Sequence, residues 1–400
     1  MKTNSNRKDN IRFIIACLYF ASLNFEVFAP FIPNLSVAKI AAFLYIIVSF
    51  LTSKDLFLVK KIKTPLYSAL IMFFLMVFSS IINLQNNRSL FDTTLFLNIM
   101  MFWMLINHQR QDERVFEKGF FWFSVTSFVV GVFYFLNIGV TVGDDMRVVV
   151  FGENANGLGI KMGVGALYLV NYCLAHTQDK LIYRPWLLLM ALPMVSLLLA
   201  TASRVSILIL GVGFVLFVLL RPMKRKGSKV LWLLVGLVAL YYGYNIVLKQ
   251  DVLMSRVERT IDEGSVSGRD YLWLKYLDLI QEHPILGVGF TGAEQYAIEV
   301  FGKNKSPHNV IIEVALYSGV LGLAFFLTFL YCVISDAIRF LKKKQIIGPL
   351  ILCSAIIGMV LSGQALGEKL FWTLSVYAVS YRVIPHVALI NSDLTNVNKK

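Results

Sequence analysis

Apolar runs of about twenty residues recur along this 400-residue chain, and they constrain the fold more than any other feature. At 1.5 Å per residue, a helix of that length crosses a hydrocarbon core of roughly 30 Å. In such a core only helices or closed barrels satisfy their own backbone hydrogen bonds. Charged residues make up 16% of the chain, against about 25% in soluble proteins. The expected fold is an all-α polytopic membrane protein with about twelve transmembrane helices.

Spans are expected near 11–29, 35–52, 65–84, 90–107, 119–139, 156–176, 185–202, 205–220, 230–248, 309–334, 346–362 and 369–390. Pro30 and Pro33 mark the first turn, and Pro65 and Pro185 open the third and seventh spans. A polar stretch, 249–308, separates the ninth span from the tenth. The chain therefore divides into a bundle (1–248), a large loop (249–308), and a final set of spans with a tail (309–400). Loops after even-numbered spans are basic: Lys54, Lys60, Lys61 and Lys63; Arg110, Arg114 and Lys118; Lys180 and Arg184; Arg221, Lys224, Arg225, Lys226 and Lys229; Arg339, Lys342, Lys343 and Lys344. Loops on the other side carry Asp144, Asp145 and Glu153. The positive-inside rule then puts both termini in the cytoplasm and the large loop outside. Orientation accounts for the net charge of +14 without a nucleic-acid partner.

No P-loop, CxxC or HxxxH spacing is present and no external carboxylate pair reads as a clear metal site, so no nucleotide, cofactor or metal is expected. The four cysteines fall inside apolar runs and suggest no disulfide framework. The basic N-terminus leads into a first span read as retained. There is no internal repeat, and the longest loop comes late, unlike a transporter built from two halves.

Within the large loop, 269–282 has helical periodicity. Lys275, Asp278 and Glu282 share one face; Leu272, Trp273, Leu277, Leu279 and Ile280 cover the other. Trp273 and Tyr276 suit a membrane interface. His283-Pro284 ends the helix and Gly287-Val288-Gly289 reads as a turn. The loop is expected to lie along the outer surface and roof a cavity; the plainer alternative is a helix that only packs down on the bundle.

His308 stands where this loop meets the tenth span. An imidazole titrates near neutrality and can accept a hydroxyl proton; a lone histidine at a helix start also serves as a cap or a packing residue. Asn309 is placed to orient the ring or bind a sugar hydroxyl, and Glu313 follows one turn on. His283 competes, but its neighbours read as a helix terminus. Arg204 lies at the outer end between two apolar runs, and a charge at the bilayer centre costs about 2.5–3.5 kcal/mol on insertion scales. It either snorkels to the surface or binds an anion. Arg269 opens the amphipathic helix, against the helix dipole. Arg147 precedes Gly152-Glu153-Asn154-Ala155-Asn156. Three external arginines suit a phosphate-rich anion, which guanidinium grips bidentately.

Four patterns occur in order: Arg147 with Asn154-Ala155-Asn156; Arg204 with Leu208; Gly268-Arg269 through Pro284-Ile285-Leu286-Gly287-Val288-Gly289; and His308-Asn309, nine residues, Gly319, two residues, Gly322. Together they resemble the O-antigen ligase and polymerase family of bacterial envelope glycosyltransferases. The first 140 residues match it only as hydrophobic pattern. The resemblance implies a GT-C-like membrane bundle whose donor is a glycan on undecaprenyl diphosphate, presented at the outer face of the inner membrane. The glycan passes to a sugar hydroxyl, on lipid A core for a ligase or on another lipid-linked repeat for an O-antigen, capsule or exopolysaccharide polymerase. It implies catalytic roles for His308, Arg269 and Arg204, and substrate binding by Arg147, Asn156, Asn309 and Glu313. Neither metal nor cofactor is implied, and membrane lipid is a partner. A transporter would instead place ionisable groups in mid-span, where Glu26, Lys39 and Lys161 are the candidates; a structural scaffold is the remaining class. The oligomeric state is left open.

Overall fold

The computed structural model describes residues 2–32, 35–52, 62–83, 92–143, 147–175, 185–221, 269–363 and 365–383. The expected ninth span, the 249–268 part of the polar stretch and the end of the twelfth span lie outside these residues, as do the side chains of Arg269 and Asp270. The helices in order are α1 (Lys2–Ser22), α2 (Val37–Thr52), α3 (Lys63–Ile82), α4 (Thr93–Gln111) and α5 (Arg114–Phe135). A hairpin follows, β1 (Val140–Val142) with β2 (Val148–Val150), then α6 (Ala155–Ala175), α7 (Pro185–Leu189), α8 (Ala191–Ala200) and α9 (Arg204–Leu220). After the undescribed stretch come α10 (Arg269–Glu282), α11 (Gly289–Phe301), α12 (Val310–Lys344), α13 (Gly348–Ser362) and α14 (Lys369–Val379).

Three of these, α3, α5 and α12, are long and apolar enough to cross a membrane. Several helices turn apolar side chains outward: Leu208, Val212 and Leu219 on α9, and Phe74 and Phe78 on α3, are all exposed. In water such surfaces would be an aggregation hazard; in hydrocarbon they are the stable face. The buried groups include Lys161, Asp336, His108 and Asn98. A few charged side chains thus lie inside while many large apolar ones face outward, as in a membrane protein.

Helix starts follow local chemistry. Asp92 Oδ1 accepts from the Thr94 and Leu95 amides at 2.7 and 3.3 Å and caps α4. Ser203 caps α9, and Pro65 falls in the first turn of α3, where its missing N–H costs nothing. Four features differ from the sequence reading. The seventh span breaks at Met190 into α7 and α8, because Pro193 has no N–H to bond the preceding turn. The tenth span runs on to Lys344. Asp336, fully buried, pairs with Arg339 at 3.4 Å and with Arg382 beyond α14. Arg339 and Lys342, Lys343 and Lys344 therefore ride on the last turns of a helix and not in a loop. The hairpin arises from two valine-rich runs, with Val140 opposite Val150 and Val142 opposite Val148. Finally, 289–301 is a helix where the sequence suggested only a turn.

The bundle has two ends of different chemistry. At one, Arg12 reaches Gln111, the Arg114 guanidinium lies over the Phe13 ring, and Tyr168 donates to the Glu117 carbonyl. Lys63, Lys118, Arg221 and Lys342 to Lys344 belong to the helix termini of this end. At the other end meet the starts of α4, α6, α9, α12 and α14, along with α10 and α11. Asn98 donates to the Leu366 and Gly367 carbonyls there, and Ser206 to the Asn156 carbonyl.

α12 packs chiefly on α3, and it breaks at Gly319, whose φ of 60° and ψ of −163° are not helical. The bond that would join the Val320 amide to the Leu316 carbonyl is replaced by two others. Val320 donates to the Pro284 carbonyl at 2.8 Å, and the Leu316 carbonyl accepts from Val288 at 2.8 Å. Leu321 donates to Ile285 at 3.4 Å. A Cβ at Gly319 would overlap the Ile285 carbonyl, and one at Gly287 would overlap the Leu316 carbonyl. Ser79 Oγ donates to the Gly287 carbonyl at 3.0 Å, and Ser80 Oγ accepts from the Phe290 amide at 2.7 Å, so α3 grips the same segment.

Gly319→Ala should destabilise the protein by about 2–4 kcal/mol, since its dihedrals suit glycine alone and the junction has no room. Gly211→Ala, on α9 with nothing within 4 Å of the added carbon, should be neutral or stabilising by up to about 1 kcal/mol. Thermal midpoints of the detergent-solubilised variants check both.

Candidate functional site

His308 is held from three sides. Its φ of 53° lies in the left-handed region, sparsely populated for residues other than glycine. Its amide donates to Ser306 Oγ at 3.2 Å. Behind it, α13 ends at Gly363, itself left-handed at φ 75°, where any side chain would overlap the His308 backbone. In front, α10 ties down the approaching strand of chain. Trp273 Nε1 donates to the Pro307 carbonyl at 2.8 Å, and the Tyr276 hydroxyl donates to the Lys305 carbonyl.

These bonds correct two sequence expectations. Tyr276 is buried, not interfacial, because its hydroxyl has a partner inside. Leu277, placed on the buried face, is 42% exposed; the buried stripe is Leu272, Tyr276 and Leu279. Asn309 Oδ1 accepts from the Ile311 and Ile312 amides at 3.0 and 3.5 Å, so this side chain caps α12. Burial raises the Tyr276 hydroxyl to about 12, which keeps it a neutral donor.

His308 lines a cavity of about 370 Å³, together with Glu313, Tyr317, Asp92, Phe290 and Glu368. A second cavity of about 270 Å³ shares Asp92, Phe290, Ser306 and Tyr317 with it and extends under α10 and α11. The Tyr317 hydroxyl donates to Glu313 Oε1 at 3.1 Å. The larger cavity thus joins an imidazole, three carboxyl groups and two aromatic rings.

The arginines lie elsewhere at the same end. Arg147 is buried; its Nε donates to the Thr201 carbonyl at 2.7 Å and its Nη2 to Asn156 Oδ1 at 2.5 Å. Arg147 and Asn156 therefore fasten the hairpin to the starts of α6 and α9. Arg204 is the first residue of α9, beside Ser203 and Thr201. One turn on, on the same face, Leu208 is 65% exposed. Arg269 is the first residue of α10. Neither Arg147 nor Arg204 lines either cavity.

The sequence reading did not assemble the ion cluster beneath the cavity. Lys161 Nζ lies 3.0 Å from Glu153, 3.2 Å from Glu26 and 3.7 Å from Glu368. Lys369 Nζ lies 2.9 Å from Glu26, whose Oε1 also accepts from the Lys369 amide at 2.9 Å. Three carboxyl groups face two ammonium groups. Burial, then the neighbouring Glu26 carboxylate, pushes Glu368 well above the usual carboxyl range; burial likewise raises Glu153. The cluster's members come from three separate stretches of sequence, and the sequence reading named Glu26, Glu153 and Lys161 without bringing them together.

Residues 189–327 match the family model Wzy_C, described as O-antigen ligase. The matched segment holds Arg204, Arg269, His308, Asn309 and Glu313, while Arg147 and Asn156 precede it. No curated protein matches the chain.

Lys161→Met should be strongly destabilising, by about 3–5 kcal/mol, because it strands buried carboxylates. Adding Glu153→Gln should recover part of that loss, measured as thermal midpoint. A carboxyl group whose folded pKa is raised contributes stability below its unfolded value of about 4.3 and loses it as pH climbs through the folded value. Relative to Glu368→Gln, the wild-type protein should therefore lose thermal stability as pH rises above about 4.3.

Proposed function

Taking the chain as a member of the O-antigen ligase and polymerase family, on the match over residues 189–327, we propose that it transfers a glycan from undecaprenyl diphosphate to a sugar hydroxyl. The observation that carries this reading is His308, fixed by left-handed backbone at the wall of a cavity lined by carboxyl groups and aromatic rings. In the reaction, the acceptor oxygen bonds to the anomeric carbon as the bond from that carbon to the diphosphate oxygen breaks. The acceptor proton passes to His308 Nδ1 or Nε2 as general base. The leaving diphosphate gains charge, which Arg204 and Arg269 offset as preorganised cations.

Arg204 suits that role because Leu208, one turn away on the same face, is open to the surrounding hydrocarbon. A headgroup gripped at Arg204 would leave its polyprenyl tail along α9. Arg147 supports this edge by donating both to Asn156 and to the Thr201 carbonyl. Asn309 acts on the site through the start of α12. The basic termini gathered at the far end of the bundle favour a cytoplasmic position for that end, with His308 at the outer, periplasmic face of an inner membrane. We propose the same division as the sequence reading: a bundle over 1–248, an external loop over 249–308 and closing spans over 309–400, with about twelve spans in all.

The ligase reading is favoured by the histidine motif and by the description of the matching family. Deletion of the gene distinguishes the two acceptors. A missing ligase leaves bare core and accumulates finished polymer on its lipid; a missing polymerase leaves core capped with one repeat.

His308→Ala should lower transfer about 10²–10⁴-fold, and Arg269→Ala should abolish it, each at normal membrane abundance. The rate at which lipid-linked donor disappears checks this. Full activity of either variant would remove that residue from the mechanism.

A further inference from the structure

α10 has three faces, and the bundle covers only one of them. Successive residues of a helix are turned by about 100°, so Leu272, Tyr276 and Leu279 fall together; they are buried with Val288, Ala293 and Leu316. Going round the helix from that stripe, Leu277, Gln281 and Leu274 come next, then Asp278 and Glu282. All five are exposed. Lys275 pairs with Asp278 at 3.9 Å on the charged side. The uncovered surface is therefore divided into an apolar flank, around Leu274 and Leu277, and a charged one. That division suits a helix lying where protein, hydrocarbon and water meet.

α12 shows where that boundary lies. Its 35 residues extend roughly 50 Å, well beyond a hydrocarbon core of roughly 30 Å. None of residues 310–319 is exposed; outward-facing apolar side chains begin at Val320 and Leu321 and continue through Leu327 and Tyr331. A span of about twenty residues runs from Val320 to Arg339, the first basic residue of the far end. Val320 thus marks the edge of the hydrocarbon. The chain leaving α10 docks at that level: Val320 donates to the Pro284 carbonyl and Leu321 to the Ile285 carbonyl. Ile285 itself is 60% exposed, so the uncovered apolar residues that begin on α10 run on to the lipid-facing stripe of α12.

We propose that α10 is seated in the leaflet at this end of the bundle, with Leu274, Leu277 and Ile285 among acyl chains and Asp278 and Glu282 in water. Trp273 and Tyr276, which the sequence assigns to a membrane interface, instead bond inward, to the Pro307 and Lys305 carbonyls. Lipid contact on one side of α10 is thereby joined to the approach of His308 on the other. The charged flank holds Lys275, Asp278 and Glu282 and is no basic patch, so acyl chains and not anionic headgroups supply the attraction.

The test places single nitroxide labels through Leu274→Cys, Leu277→Cys, Asp278→Cys and Glu282→Cys, in full-length protein whose four native cysteines are buried. The labelled proteins are held in nanodiscs of phosphatidylethanolamine and phosphatidylglycerol. Collision with oxygen, which concentrates in hydrocarbon, is compared with collision with a water-soluble nickel chelate. Labels at 274 and 277 should collide more with oxygen, and labels at 278 and 282 more with the chelate. Chelate-dominated collision at all four positions overturns the proposal. So does weak collision with both reagents at 274 and 277, which would mean that protein covers the flank. Leu274→Asp with Leu277→Asp should also lower transfer in vesicles about tenfold or more; unchanged transfer overturns the link to His308. The collision measurement needs no substrate, so its outcome is separate from that of the glycan-transfer reading.

Discussion

The break in α12 at Gly319 and the segment Pro284–Gly289 that fills it are the interaction on which the rest of this end depends. A broken helix inside a membrane bundle exposes amides and carbonyls that water cannot reach, and each would cost several kcal/mol unpaired. Here the Pro284 and Ile285 carbonyls and the Val288 amide supply the missing partners. The repair fixes the position of α10 and α11 against α12 and α3. Trp273 and Tyr276 on α10 then hold residues 305 and 307, and so the approach to His308. Two glycine patterns that look independent in the sequence, Pro-x-x-Gly-x-Gly and the Gly319 of the histidine motif, are the two sides of one contact.

Charge is unevenly distributed at this end. Arg147 and Arg204 lie by the hairpin and the start of α9, while carboxyl groups line the cavity beside His308. A single mixed site would neutralise itself. Under the proposed function, the arginine edge meets the anionic headgroup of the lipid-linked donor. The Lys161 cluster secures the wall between the arginines and the cavity: it joins α6 and α14 to the chain just after α1, and Glu368 belongs both to the cluster and to the cavity.

Much of the fold was legible because the membrane sets a length scale. Apolar runs near twenty residues became helices within a few residues of their expected limits, as at Val37–Thr52 and Arg204–Leu220. α10 was legible from its periodicity and its His283-Pro284 stop. α11 was not, because Gly289 and Gly292 weaken helix propensity and its partners on α3 are some 210 positions away. The far end of α12 was misread as a loop because three lysines resemble one; Asp336, 0% exposed, keeps it in the bundle. His308 and Glu313, which line the cavity, stood out in the sequence at the start of the tenth span, whereas Asp92, Phe290 and Glu368, which also line it, did not. Each looks like an ordinary cap or core residue until the chain folds and brings it to the cavity.

The central claim is that donor and acceptor meet on the side of the membrane away from the basic helix ends. Single cysteines at the two termini of one helix test it most directly, because all four native cysteines are buried. Asn304→Cys, exposed just before α12, and Lys342→Cys, exposed near its last turn, are treated with a membrane-impermeant maleimide in spheroplasts. The account predicts labelling at 304 in intact spheroplasts and at 342 only after lysis. The reverse pattern would put His308 in the cytoplasm and contradict the account.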